Sequence, residues 1–502
     1  MGDPSITRRR LLVAGAGALA GAAVAPHAAL ALGGEGRRPR LAEVELGPLG
    51  PRGISLPLAG DVQLVGLQWR SPASARPQAR VRLADGRWGP WAAAGAAGHG
   101  PDGGAAAAEE LRGEPLWTGG ARQLELRSAE TLRGARLHLV AAGPAGIADG
   151  AQTAALALAE PQLQAGAGQP PIIAREAWAQ GICPPRVAPE YGQVLLGFVH
   201  HTENPNGYSA AQVPAMLRAI YAFHRYVNGW DDIGYNFVVD HYGRIFEARA
   251  GGIDEAVTGA QAGGYNLVST GVAVLGSFMG VRPPAPARNA LQRLLAWKLS
   301  LHGTPAAGRV AVRVDPAGAS YSKYPADARV TLPRVAGHRD ADSTDCPGDA
   351  LYAELPAIRT SVHHLAGQPV SATLALQPSA PAAPAPAPAP GAPQAPPPQA
   401  APPQLLASVA VGGAPLAGAP LVLQARAVAR RGESVSEMAL AEGVSDAQGR
   451  WAVPASFAEG ARAAQWVRVL CPAGGGHGAA VSPAVKVAPL PALRPPANGP
   501  SS

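Results

Sequence analysis

Between residues 36 and 165, apolar and polar side chains alternate in short runs. Val62–Trp69 (VQLVGLQW), Ala79–Leu83 (ARVRL), Gln123–Arg127 (QLELR) and Ala135–Val140 (ARLHLV) are the clearest. A period of two puts every second side chain on one face, the signature of a half-buried strand. The segment therefore predicts an antiparallel, sandwich-like β domain. Ala/Gly-rich inserts at 92–108 and 141–170 are expected to be flexible loops. From 171 to 367 the pattern changes. Val194–Val199 is a buried strand. Ser209 is placed to cap a helix that carries Val213, Met216, Leu217, Ile220, Phe223, His224 and Val227 at helical spacing, with Gly229 as its stop. Asn236–Asp240 and Arg244–Glu247 form a hairpin, Thr270–Leu275 is another apolar strand, and 286–302 and 349–365 are amphipathic helices. This is a mixed α/β pattern. Residues 368–404, rich in Pro, Ala and Gln, cannot bury a core and are expected to be a semi-stiff linker. Residues 405–490 again alternate and predict a small Ig-like β-sandwich, followed by a disordered tail at 491–502.

A chain of 502 residues suits roughly two or three domains. The formal charge of +7 favours anionic surfaces, but it is modest for this length. No basic stripe with interleaved aromatics accompanies it, so nucleic acid is not expected as a partner. Residues 1–31 have the layout of an export signal. Thr7-Arg8-Arg9-Arg10-Leu11-Leu12 precedes an apolar Val13–Val24 run, and Ala29-Leu30-Ala31 offers a small-residue cleavage site. Paired arginines before leucines are of the twin-arginine type, so the expected location is secreted or at the cell wall. No later segment is long and apolar enough to span a bilayer, so no stable membrane span is expected once the signal is removed. The three cysteines, Cys183, Cys346 and Cys471, are too scattered for a disulfide framework, although an exported chain usually pairs them.

One of them has a different use. Val335–Gly348 reads VAGHRDADSTDCPG and places His338 and Cys346 in one loop, while His200 ends the apolar run far upstream. Two imidazoles and a thiolate are donors for a zinc ion that keeps its fourth position open, the arrangement of a catalytic rather than a structural site. If the three converge, the chain is a zinc hydrolase.

The stretches Ala174-Arg175-Glu176-Ala177-Trp178, Val199-His200-His201-Thr202, Trp230–Phe237 (WDDIGYNF), Gly243–Arg249 (GRIFEAR), Gly264-Tyr265-Asn266, Gly337-His338-Arg339-Asp340 and Asp345-Cys346-Pro347-Gly348 follow one another over 172–360. In this order and spacing the region resembles the peptidoglycan recognition protein family and the related type 2 N-acetylmuramoyl-L-alanine amidases, here in a bacterial form. The resemblance implies a central α/β amidase domain at 171–367, a mixed sheet flanked by helices. It implies Zn2+ held by His200, His338 and Cys346, with Tyr235 and Thr344 as catalytic hydrogen-bond donors. It also implies muropeptide contacts from Arg249, Asn266 and His201. The partner is then peptidoglycan, and the reaction is hydrolysis of its lactyl–L-Ala amide. Where many relatives carry Gly-Ala-His-Ala, this chain has Gly259-Ala260-Gln261-Ala262, which puts a specificity contact in question more than the hydrolysis. Two other readings stand beside the enzyme: a recognition protein that binds peptidoglycan without cutting it, and a wall-associated scaffold with adhesive β modules.

Overall fold

The computed structural model describes residues 8–12, 168–377, 403–426, 437–455 and 465–487, together with 38–142 apart from 73, 84–85, 95–99 and 101–109. The expected signal outside 8–12, most of both Ala/Gly-rich inserts, the Pro/Ala-rich run from 378 and the tail lie outside these residues.

A six-stranded mixed sheet organises the middle of the chain. Its strands are β1 (Ile172–Ile173), β2 (Leu196–His201), β3 (Phe237–Val239), β4 (Ile245–Glu247), β5 (Ser269–Val274) and β6 (Val335–Gly337), in the order β1-β4-β3-β5-β2-β6. Only the β3–β4 hairpin is antiparallel. Every residue of β2 and β5 is buried, because both faces of these parallel central strands are covered, in large part by helices and, over Leu196 and Phe198, by Val312, Val330 and Leu332 of two further strands. The helices are α1 (Arg175–Ala179), α2 (Val213–Ala222), α3 (Ala285–Leu301) and α4 (Asp349–Ala366). Strand alternation sorts the contacts. Val238 and Ala273 pack with Met216, Leu217 and Ile220 of α2. Val239, Val272 and Val274 pack with Leu291, Leu294 and Leu355 of α3 and α4.

The helix expected from Ser209 to Val227 is not uniform. It opens as a 3₁₀ turn at Ala210–Gln212, continues as α2 and widens into a π-helical turn at Phe223–Val227. Such turns recur at functional sites. A two-stranded ribbon, Arg309–Arg313 with Arg329–Pro333, has no counterpart in the sequence reading.

The N-terminal β region consists of two sheets around a shared core that includes Val44, Leu67, Trp69, Leu124, Leu126 and Leu137. Within the expected signal, Arg8–Leu12 runs parallel to Arg40–Leu49. This β module is not a bead on a tether. Leu41, Leu64, Trp117, Val140 and Ala142 belong to the same core as Trp178, Met216, Ile220, Phe223 and Tyr235 of the central domain. The Phe223 ring lies so close to Gly66 that an added methyl would meet it at 2.0 Å.

The C-terminal region also has two sheets on one core, with Leu405, Val409, Leu423 and Val467 among its members. Its first strand corrects the expected linker of 368–404. Val370–Gln377 pairs along its length with Gln404–Val411. The Pro/Ala-rich run therefore joins two neighbouring strands of one sheet instead of separating two domains. Val370, Ala372 and Leu374 alternate with exposed residues and are buried. This region docks on the central domain through Arg468, which is buried and pairs with Asp254 and, at 2.9 Å, with Glu255. Among the described residues no helix is long and apolar enough to cross a membrane.

Candidate metal centre

The two histidines that end β2 point opposite ways because a strand alternates. His200 shares its face with Leu196 and Phe198 and turns toward the loop after β6. His201 turns to the other face. His338 follows β6, which pairs directly with β2, so two neighbouring parallel strands bring His200 and His338 together. Their ring centroids are 4.5 Å apart. The loop returns through Cys346, three residues before α4, and its Sγ lies 3.7 Å from His200 Nδ1. One donor atom from each of His200, His338 and Cys346 falls within 4.8 Å of the others, and all three residues are buried.

The tautomers are set by neighbours. His200 Nε2 lies 2.5 Å from Gln261 Oε1, an acceptor-only atom, so Nε2 carries the proton and Nδ1 offers the lone pair. His338 Nε2 lies 2.9 Å from Asp342 Oδ2, with the same consequence. Both acceptors are themselves held. Gln261 Nε2 donates to Ser269 Oγ, and Asp342 Oδ2 accepts from the Gly263 amide. Gly271 gives Gln261 its room, since a methyl there would meet Gln261 Cγ at 2.4 Å. Ring nitrogens fixed in this way are what a metal site needs. Burial pushes the Cys346 thiol well up, although the His201 amide, 3.4 Å from Sγ, eases it. A buried thiol with this pKa becomes an anion only when a cation takes the place of its proton. The donor set therefore fits a tetrahedral metal such as zinc.

Tyr235 stands beside this centre, its ring 5.4 Å from that of His200. Burial, then the charges of Glu114, Cys346 and Glu203, hold its phenol well above the usual range, so it is a hydrogen-bond donor and not a base. Thr344 is half-buried and its Oγ1 accepts from the Cys346 amide at 3.2 Å. Arg339 and Asp340 brace the loop. Arg339 donates to the Cys346 and Asp345 carbonyls, while Asp340 accepts from the Gly337 amide and the Tyr352 hydroxyl.

The three expected muropeptide contacts fare differently. Arg249 is half-buried, donates to the Ile233 carbonyl and lines a cavity of about 290 Å3 with Asp231, Asp232 and Thr258. Asn266 is corrected: only 1% exposed, it accepts from the Gln261 and Ala262 amides and donates to the Gly100 carbonyl. Its amide shapes the loop that carries Gln261 and does not face a groove. His201 is also corrected. Its Nδ1 accepts from the Phe278 amide at 3.3 Å, and its Nε2 lies 3.2 Å from Glu203, on the face away from His200. Gln261 and Asp342 were missed as supports for the ligands. A polar side chain in an apolar stretch, and a second aspartate four residues after His338, were the available signals.

A family model described as N-acetylmuramoyl-L-alanine amidase matches residues 190–349. A second, described as Rv3811 N-terminal galactose-binding domain-like, matches 57–157. A peptidoglycan-recognition protein of Drosophila melanogaster is 30% identical over 184 residues, which are 37% of this chain and 85% of that protein. The chain belongs to the peptidoglycan-recognition protein family. Human N-acetylmuramoyl-L-alanine amidase is 31% identical over 189 residues, 37% of this chain but only 28% of that protein. The solved structure of Drosophila PGRP-LB wild-type covers 37% of this chain and 93% of its own, at 27% identity and a TM-score of 0.29. The family match lies in the central domain. The N-terminal module is a galactose-binding-like β domain, and the C-terminal sheets fall outside both family matches.

Proposed function

We propose that this chain is a zinc-dependent N-acetylmuramoyl-L-alanine amidase that cuts the amide between the lactyl group and L-alanine in peptidoglycan. The observation that carries the reading is the meeting of His200, His338 and Cys346 donor atoms within 4.8 Å, with Nε2 of both rings already committed to Gln261 and Asp342. Zinc bound there would polarise the amide carbonyl and lower the pKa of a water molecule. Gln261 and Asp342 hold the two rings in the ligating tautomer. Cys346 gives up its proton on loading. Tyr235, kept protonated by burial, donates to the carbonyl oxygen as negative charge builds on it. Thr344 adds a neutral donor. Arg249 is our remaining candidate for a muropeptide contact. We further read residues 1–31 as a twin-arginine export signal and the protein as secreted or wall-bound. We take 36–165 as the extent of the N-terminal module, 171–367 as the catalytic domain and the C-terminal sheets as an Ig-like sandwich.

Digestion of purified peptidoglycan tests the reading. Mass spectrometry should find free stem peptides that begin with L-alanine. A chelator should stop their release and added zinc restore it. A zinc-loaded chain that binds muropeptide and releases nothing would replace the enzyme with a non-catalytic recognition protein.

A further inference from the structure

Two buried asparagines tie the N-terminal β module to the supports of all three metal ligands. The first is Asn266, only 1% exposed. Its Oδ1 accepts from the Gln261 amide at 2.8 Å and from the Ala262 amide at 3.1 Å. The next amide along, that of Gly263, donates to Asp342 Oδ2 at 3.1 Å. One turn therefore carries the side chain that orients His200 and holds the carboxylate that orients His338. The other end of the Asn266 carboxamide leaves the domain. Its Nδ2 donates at 2.9 Å to the carbonyl of Gly100, which belongs to the N-terminal module. Tyr321 packs against both sides of this joint. A methyl added at Gly100 would meet its hydroxyl at 2.6 Å, and one added at Gly263 would meet its ring at 2.5 Å.

The second is Asn204, exposed to the same small extent. Its Oδ1 accepts from the Trp117 amide of the module at 2.9 Å, and its Nδ2 donates to Thr202 Oγ1 at 3.1 Å. That oxygen also accepts from the Gly276 amide, just beyond β5, at 3.0 Å. Thr202 follows His201, whose amide lies 3.4 Å from Cys346 Sγ. Trp117 is itself anchored. It pairs with Leu64, and both lie in the core shared with α2.

A carboxamide has a donor end and an acceptor end. Each of these asparagines spends one end on the module and the other on the central domain. Separating the domains would strip a partner from each, a cost that favours the docked state. With the module docked, the supports of the ligands are held before any metal arrives, and donors ordered in advance bind more tightly than donors that must be ordered on binding.

We propose that the N-terminal β module is a working part of the metal centre, with Asn266 and Asn204 as the positioning residues that couple its docking to zinc binding. This inference rests on the metal-centre reading above. Coupling of this kind is reciprocal: docking raises the affinity for zinc, and zinc tightens the docking.

The test uses the full chain and zinc alone. Asn266→Ala and Asn204→Ala should each bind zinc at least about fivefold more weakly in competition with a chromophoric chelator, the low end for coupled sites. Ser300→Ala also removes a buried hydrogen bond, to the Ala366 carbonyl, but at the end of α4 remote from Cys346. It should bind zinc as the parent does, so lost stability by itself does not explain the effect. The unaltered chain supplies a second reading that needs no variant to fold. Exchange of the Trp117 amide requires the contact with Asn204 to open. Adding zinc to the apo-protein should slow hydrogen exchange across Leu111–Trp117, while Gln404–Val411 of the C-terminal region exchanges alike in both states. Zinc affinities in both asparagine variants equal to the parent's, or exchange at Leu111–Trp117 indifferent to zinc, overturns the proposal. A parent chain that binds no zinc sinks the metal centre instead, so the two failures are distinguishable.

Discussion

Replacing Gln261 by leucine isolates what a residue outside the ligand set contributes to the centre. Leucine is close in volume and apolar, so little space opens. The Gln261 Oε1 that lies 2.5 Å from His200 Nε2 is lost, and so is the Nε2–H donated to Ser269. His200 is fully buried, so its Nε2–H would lose an acceptor where water does not replace it. An unsatisfied buried donor costs about 1–3 kcal/mol. The ring is also released from the one tautomer that aims Nδ1 inward. Loss of such a support weakens metal binding by about 10–100-fold, which corresponds to about 1.4–2.7 kcal/mol. The two magnitudes agree, as they should if one hydrogen bond carries both effects. Competition with a chromophoric chelator reads the zinc affinity, and denaturant unfolding of the apo-protein reads the stability. Gln261→Glu keeps an acceptor against His200 and should keep most of the affinity. A leucine variant that bound zinc within about twofold of the parent, well short of the loss expected for a missing support, would refute the assignment of Gln261 as the residue that orients His200.

Cys346→Ala should abolish both zinc retention and hydrolysis, measured by elemental analysis and stem-peptide release; a variant that cut normally would remove the thiolate from the ligand set. Tyr235→Phe should keep zinc but slow turnover by about 10²–10³-fold, the usual effect of losing an oxyanion donor, in steady-state assays. His138 governs a pH response in the N-terminal module. Burial, opposed by Glu43, lowers its pKa from 6.5 to about 4, so between these values the unfolded chain binds more protons than the folded one. The stabilisation is complete above pH 6.5 and is lost as pH falls toward 4, by up to about 3 kcal/mol. Denaturant unfolding at neutral pH and at about pH 4.5, inside that window, should show this loss in the parent and a smaller one in His138→Gln; equal losses would count against it.

The local pattern of the sequence determined where most elements lie. Period-two runs became the strands around Leu64–Trp69, Gln123–Arg127 and Leu132–Ala141, and helical spacing became α3 and α4 within a residue or two of their expected ends. It also marked His200, His338 and Cys346, because so few residue types hold a metal and because their flanking stretches follow a family order. What escaped was decided by contacts between distant segments. His200 and His201 are adjacent and chemically alike, and only the face each takes in β2 separates an inward donor from a residue that accepts from the Phe278 amide and lies beside Glu203. Asn266 has the chemistry of a groove residue, yet its amide braces Gln261 and Ala262. Residues 370–377 are hard to read beside a proline-rich run, because a lone alternating stretch declares itself a strand only when Gln404–Val411 pairs with it. The close approach of Phe223 to Gly66 depends on a core shared by two domains that lie far apart in the chain. Periodicity and side-chain chemistry are local properties and can be read along the chain. Which face turns inward, and which domain closes against which, depends on burial and hydrogen bonding across the fold, and these exist only once the chain has packed.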